Sequence, residues 1–120
     1  MATNDDACSI MPYFQIEDGK ADDFKAISEK MVESTAGEPG CLYYGFSFAG
    51  DTAYCREGYA DADALLAHVV NAGPLLEQLG TVSALLRMEI CGPAAEIDKL
   101  REPMAFLNPT FFVLESGFRR

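Results

Sequence analysis

Residues 38–69 read EPGCLYYGFSFAGDTAYCREGYADADALLAHV, a pair of β-prone runs joined by a short turn and followed at once by a helical pattern. In the first run Leu42, Tyr44, Phe46 and Phe48 alternate with Cys41, Tyr43, Gly45 and Ser47, a period of two that assigns each set to its own strand face. Ala49-Gly50-Asp51 supplies the turn, and Thr52 to Ala60 reads as the hairpin partner. Asp61 is a good N-cap for the next helix, and Asp63 suits the positive end of its dipole. Leu65, His68 and Val69 fall on one side of that helix.

Upstream, Ala7 to Ile16 is apolar and β-compatible, with Pro12 predicting that it pairs on one side only or starts its ladder after the proline. Phe24, Ile27 and Met31 recur at helical spacing over Ala21 to Thr35, and Gly37 to Gly40 end that helix. Downstream, Asn71-Ala72-Gly73-Pro74 is expected to break the second helix, leaving Leu75 to Leu79 as a short one of its own. Thr81 to Cys91 alternates as a strand, with Val82, Ala84, Leu86, Met88 and Ile90 on one face and Ser83, Arg87 and Glu89 on the other. A short helix carrying Ile97 and Leu100 then precedes a last strand over Thr110 to Glu115.

This order, β-α-β-β-α-(α)-β-(α)-β, is the α+β, ferredoxin-like plan of an antiparallel sheet with helices on one face. The middle strands are apolar and aromatic on both faces, so a second copy is expected to cover the open face and make a homodimer. A chain of 120 residues suits one domain, 1–120, with the ferredoxin-like core over 7–91 and an added helix and strand over 92–120.

Composition excludes several partners. Nine Lys and Arg against 19 Asp and Glu give a net charge of −10, which repels a phosphate backbone, so no nucleic acid is expected. The opening MATNDDACSIMPYF has no basic leader region, and no apolar run nears the ~20 residues that span a bilayer, so no membrane partner and a cytoplasmic location are expected. Cys8, Cys41, Cys55 and Cys91 form no C-x-x-C pair and there is one His, so the cysteines read as small buried residues and no metal site is expected.

Three stretches, Glu38-Pro39-Gly40-Cys41-Leu42, Glu57-Gly58-Tyr59-Ala60-Asp61 and Ala64-Leu65-Leu66-Ala67-His68-Val69, together resemble the antibiotic biosynthesis monooxygenase family, which has a P-G-C-L-like entry, a glutamate before an aromatic, and an A-L-x-x-H helix. The chain departs at Val69 to Leu75, where many members resemble a serine-proline-histidine stretch, and in its tail from Gly92 to Arg120. The resemblance implies a dimeric α+β barrel, two sheets meeting face to face, with a mainly apolar pocket between sheet and helices in each subunit. It also implies oxygenation of a phenol, quinol or polycyclic aromatic by O2, with no cofactor. Relatives with this fold degrade haem, isomerise lactones or bind ligands. The absence of Trp counts against the haem-degrading branch.

Oxygenation without a cofactor needs a substrate that gives an electron to O2, and phenolates do so better than phenols. A base near neutrality is then the natural tool, and His68 is the one side chain whose ordinary pKa lies there, the alternative being a half-buried core or surface histidine that only hydrogen-bonds. Glu57 shares a strand face with Cys55 and Tyr59. On the pocket side it would orient His68 or accept a proton; on the dimer side it would pair with Arg56 or Arg87. Tyr44, Phe46, Tyr59 and Leu65 are candidates for lining the pocket, with ordinary core packing as the alternative. Two other functions fit the same residues: a non-catalytic ligand-binding dimer, and a proton-transfer isomerase with His68 as base.

Overall fold

The computed structural model describes residues 5–120; residues 1–4, the start of the stretch read for a leader region, lie outside it. The elements are β1 (Cys8–Ile16), α1 (Ala21–Thr35), β2 (Cys41–Ala49), β3 (Thr52–Tyr59), α2 (Ala62–Leu79), β4 (Ser83–Gly92), α3 (Ala94–Leu100), a 3-10 turn (Ala105–Leu107) and β5 (Thr110–Val113). They form one five-stranded sheet in the order β2-β3-β1-β4-β5. The first four strands pair antiparallel, as expected, but β5 runs parallel to β4, with Glu89 opposite Thr110 and Gly92 opposite Val113. The sheet is therefore mixed: α3 and the 3-10 turn form the crossover that a parallel pair needs.

Strand β1 is strictly alternating, with Cys8, Ile10, Pro12, Phe14 and Ile16 buried. These residues meet Phe24 and Met31 of α1, Leu65 and Leu79 of α2, and Ile97 and Leu100 of α3 in two adjoining core clusters. Contrary to expectation, Pro12 does not confine β1 to an edge, since β1 pairs with both β3 and β4. The ladder to β3 is interrupted between Ile10 and Tyr13, which spares Pro12 the amide it lacks.

Two irregularities correct the strict alternation expected of β2 and β4. The register of β2 shifts between Cys41 and Tyr43, so Cys41 packs against the helix-side core with Tyr59 rather than with Tyr43 on the open face. In β4 a bulge opposite Tyr13 and Phe14 leaves Leu86 between Arg87 and Leu85, and Ala84 faces Gln15. Only Met88 and Ile90 of that expected apolar face are buried within the strand; Leu86 is 55% exposed. All four cysteines are free, but only Cys8 and Cys55 are buried.

Helix α2 runs unbroken through Pro74, against the expected stop at Asn71. An interior proline costs about 3 kcal/mol through its missing amide and its clash with the carbonyl four residues earlier. That carbonyl belongs to Val70, an exposed residue where water can serve it. Leu79 is fully buried and Leu75 and Leu76 are half-buried against the Phe14–Phe24 core, and burial at ~1.5–3 kcal/mol per full side chain outweighs the proline.

The face of the sheet away from the helices carries Tyr13 stacked on Tyr54 at 5.5 Å, Arg87 over Tyr13 and Arg56 over Tyr43. Among the described residues, no helix is long and apolar enough to cross a membrane.

Candidate active site

The turn between α1 and β2 lies directly on α2. A Cβ on Gly40 would sit 2.6 Å from the Ala64 Cβ, so only glycine allows the approach, and the Ala60 amide donates to the Gly40 carbonyl at 2.9 Å. The N-terminus of α2 is fixed by Asp61, whose Oδ1 accepts from the Ala64 amide at 2.8 Å, and by Glu96 of α3, whose Oε1 accepts from the Ala62 amide at 3.0 Å. One turn beyond Ala64 comes His68, and the close turn brings Glu38 beside it.

His68 is 5% exposed. Its Nδ1 lies 3.0 and 2.9 Å from the two Glu38 carboxylate oxygens, and its Nε2 lies 3.3 Å from Glu57 Oε1. The Tyr59 hydroxyl donates to that Glu57 oxygen at 2.6 Å. Asn71, one turn along α2, donates through Nδ2 to Glu38 Oε2 at 2.8 Å and to Ser34 Oγ at 3.2 Å. The rings of Tyr59 and Tyr44 lie 5.0 and 5.3 Å from the imidazole, centre to centre. Among the described residues every buried side-chain nitrogen and oxygen has a partner.

Burial raises the Glu57 carboxyl to about 8; hydrogen bonds from Tyr59 and Cys55 pull it down, and the nearby Glu38 charge pushes it up. Burial also holds His68 below its ordinary value, and the Glu38 pair opposes that effect without cancelling it. Near neutral pH the site thus holds a mostly protonated carboxyl beside a mostly neutral imidazole. Burial, reinforced by the Glu57 charge, pushes Tyr44, Tyr59 and Cys55 well above their ordinary values, so these stay neutral.

Glu57 and His68 open on a cavity whose other walls include Ile10, Phe14, Met31, Tyr44, Phe46 and Met88. Its volume is about 30 Å³. That is room for little more than water, against the ~300 Å³ at the low end of small-molecule sites, so an organic substrate must displace side chains. Tyr44 and Phe46 line the cavity, but the other two candidates do not: Leu65 is fully buried in the core cluster that holds Ile97, and Tyr59 stands behind the wall, its ring against His68 and its hydroxyl on Glu57. Leu107, from the tail beyond the ferredoxin-like core, contributes to the wall.

Sequence reasoning missed Glu38 and Asn71. Glu38 read as part of a helix-ending turn and of the family-like entry to the second strand, with no role of its own, and no spacing rule links it to a histidine thirty positions away. Among the described residues, no three or more His, Cys, Asp and Glu are placed to hold a metal ion.

The pattern of the antibiotic biosynthesis monooxygenase family matches residues 9–72. The chain belongs to this family. Its fold is similar to that of MupZ from Pseudomonas fluorescens, which is 45% identical with a TM-score of 0.95 over 100% of this chain and 94% of that one. It is also similar to SnoaB from Streptomyces nogalater, a cofactor-independent oxygenase, at 16% identity and a TM-score of 0.63 over 71% of this chain and 90% of that one. Rv0793 from Mycobacterium tuberculosis gives 20% identity and a TM-score of 0.65 over 72% of this chain and 94% of that one. The last two likenesses concern the fold alone. No curated protein matches the chain.

Proposed function

We propose that this protein is an enzyme that works without a cofactor by acid–base catalysis on a mainly apolar substrate, with His68 as base and Glu57 as acid. The observation that carries this reading is the 3.3 Å approach of His68 Nε2 to a buried Glu57 carboxyl at the wall of an apolar cavity. Neutral His68 takes a proton from a substrate hydroxyl or acidic C–H at Nε2, and Glu38 stabilises the imidazolium. Glu57 gives its proton to a substrate oxygen, and the Tyr59 hydroxyl supports the carboxylate left behind. After product leaves, the proton on Nε2 returns to Glu57, so the two groups end as they began.

Two chemistries use these steps. In the one nearest the family's name, His68 deprotonates a phenol or quinol, the resulting anion reduces O2, one oxygen atom enters the substrate and the other leaves as water. A neutral Glu57 is what makes a substrate anion tolerable there. The other is proton transfer without oxygen, such as isomerisation of a lactone or enol; the pairing of an acid with a base favours it, because oxygenation makes less use of an acid. Oxygen uptake with reduced naphthoquinols supports the first. Deuterium exchange into a lactone or enol without oxygen uptake supports the second. Saturable binding of such compounds with neither reaction would sink the enzymatic reading and leave a ligand-binding protein.

The assembly that supports this site is a homodimer closed across the open sheet face, which carries three tyrosines and two arginines, residues common at interfaces. Sedimentation should give twice the chain mass; a monomer at micromolar concentration would remove the barrel.

A further inference from the structure

The two nitrogens of His68 do not face equivalent surroundings. Nδ1 meets both oxygens of one carboxylate, at 3.0 and 2.9 Å, while Nε2 faces the Glu57 carboxyl. A carboxylate has only lone pairs to offer, so a bare Nδ1 at those distances would set lone pair against lone pair; the contact makes sense only with the hydrogen on Nδ1. Asn71 then fixes the carboxylate, donating to Glu38 Oε2 at 2.8 Å from the helix that carries His68. Gly40 lets the turn carrying Glu38 approach that helix. Every element around the ring thus contributes to one arrangement.

We infer that Glu38, held by Asn71, is a positioning residue that pins the His68 proton on Nδ1 and leaves Nε2 bare toward Glu57 and the cavity. The inference rests on the acid–base reading, since a base at Nε2 is useful only if that nitrogen is unprotonated. Other titratable groups around the ring are Cys41 and Tyr44 on β2 and Cys55, Glu57 and Tyr59 on β3. None can replace Glu38. Burial disfavours the charged form of each, whereas the Glu38 carboxylate raises the affinity of His68 for a second proton. Glu38 therefore sets which nitrogen is bare and steadies the imidazolium formed there.

The chain has a single His, so the imidazole of the 15N-labelled full-length protein gives one unambiguous pair of nitrogen signals, and no substrate is needed to read them. At pH 7, where Glu57 still holds its proton and His68 has lost its excess one, the wild type should show a protonated Nδ1 and a bare Nε2. Glu38→Ala should move the population toward the Nε2-protonated form and lower the His68 titration midpoint by roughly one unit. Glu38→Gln keeps an acceptor oxygen without the charge, so it should retain the Nδ1–H form while still lowering the midpoint; it also covers the case in which the alanine variant fails to fold. Asn71→Ala, at an exposed site, should shift the balance in the same direction by less. A wild-type signal from an Nε2–H tautomer, or spectra of Glu38→Ala that superimpose on wild type, would overturn the inference. Full turnover in His68→Ala would instead remove the acid–base reading and leave the tautomer result intact, so the two failures are told apart.

Discussion

The Nε2 atom of His68 and the Tyr59 hydroxyl converge on the same Glu57 oxygen, at 3.3 and 2.6 Å, so one carboxyl group is shared between a base and a phenol. The pair should give a bell-shaped pH dependence. Activity rises as His68 loses its excess proton, below the ordinary imidazole value, and falls as Glu57 ionises near 8. His68→Ala and Glu57→Gln should each lower kcat by ~10²-fold or more. In a kcat/KM profile the acid limb should vanish in the first and the alkaline limb in the second, the limbs belonging to the coupled pair. Wild-type profiles in both variants would remove the pair from the mechanism.

The same two groups shape stability. Glu57 binds its proton more tightly folded, at about 8, than its ordinary 4.5, so its favourable contribution is complete below that ordinary value and is lost as pH rises toward 8. His68 is shifted the other way, so its contribution is present above its ordinary 6.5 and is lost as pH falls below it. At ~1.4 kcal/mol per unit, Glu57 costs the fold several kcal/mol at pH 9. Glu57→Gln should therefore raise the urea midpoint at pH 9 more than at pH 5. An equal effect at both would mean that the carboxyl titrates normally.

Much of this arrangement was readable before the structure, for identifiable reasons. Period-two alternation in Cys55, Glu57 and Tyr59 places the three on one face, and helical spacing puts His68 beside Leu65 on a buried side, because both depend only on local backbone repeat. The interruptions were not readable: the register shift at Cys41 and the bulge at Leu86 come from fitting strands to their neighbours. Pro74 misled because its local cost is outweighed by burial of Leu79, a tertiary effect. Glu38 was invisible because its role depends on how closely a turn approaches a helix, and that distance has no signature in spacing.

That approach can be tested directly. The Gly40→Ala methyl group would overlap Ala64, pushing the turn off α2 and drawing Glu38 from His68. The expected cost is ~1–3 kcal/mol, the usual penalty of overpacking. Ala64→Gly alone should cost about 1 kcal/mol as a helix-interior glycine. In the double variant the space vacated at 64 accepts the methyl at 40, so the combined loss should be smaller than the sum of the single losses. Strict additivity in denaturant unfolding would mean that the two positions do not press on each other.

The last expectation concerns entry to the cavity. Phe46 is half-buried and lines the inner space of about 30 Å³, and it also lines an outer groove of about 340 Å³ with Lys25, Val32 and Phe48, between α1 and the edge strand β2. Its ring is therefore a wall shared by a space too small for an organic substrate and one large enough to receive it. Phe46→Ala removes that wall. Stability should fall by ~2–4 kcal/mol, near the lower end for a deleted core phenylalanine because the ring is only half-buried. Association with an apolar dye such as 8-anilinonaphthalene-1-sulfonate should become faster by stopped-flow fluorescence, because no ring has to swing aside. Truncating Phe48, which lines the groove but not the cavity, should leave that rate unchanged. If Phe46→Ala and wild type take up the dye at the same rate, the route passes elsewhere, and Leu107, the wall contributed by the tail, becomes the side chain to truncate next.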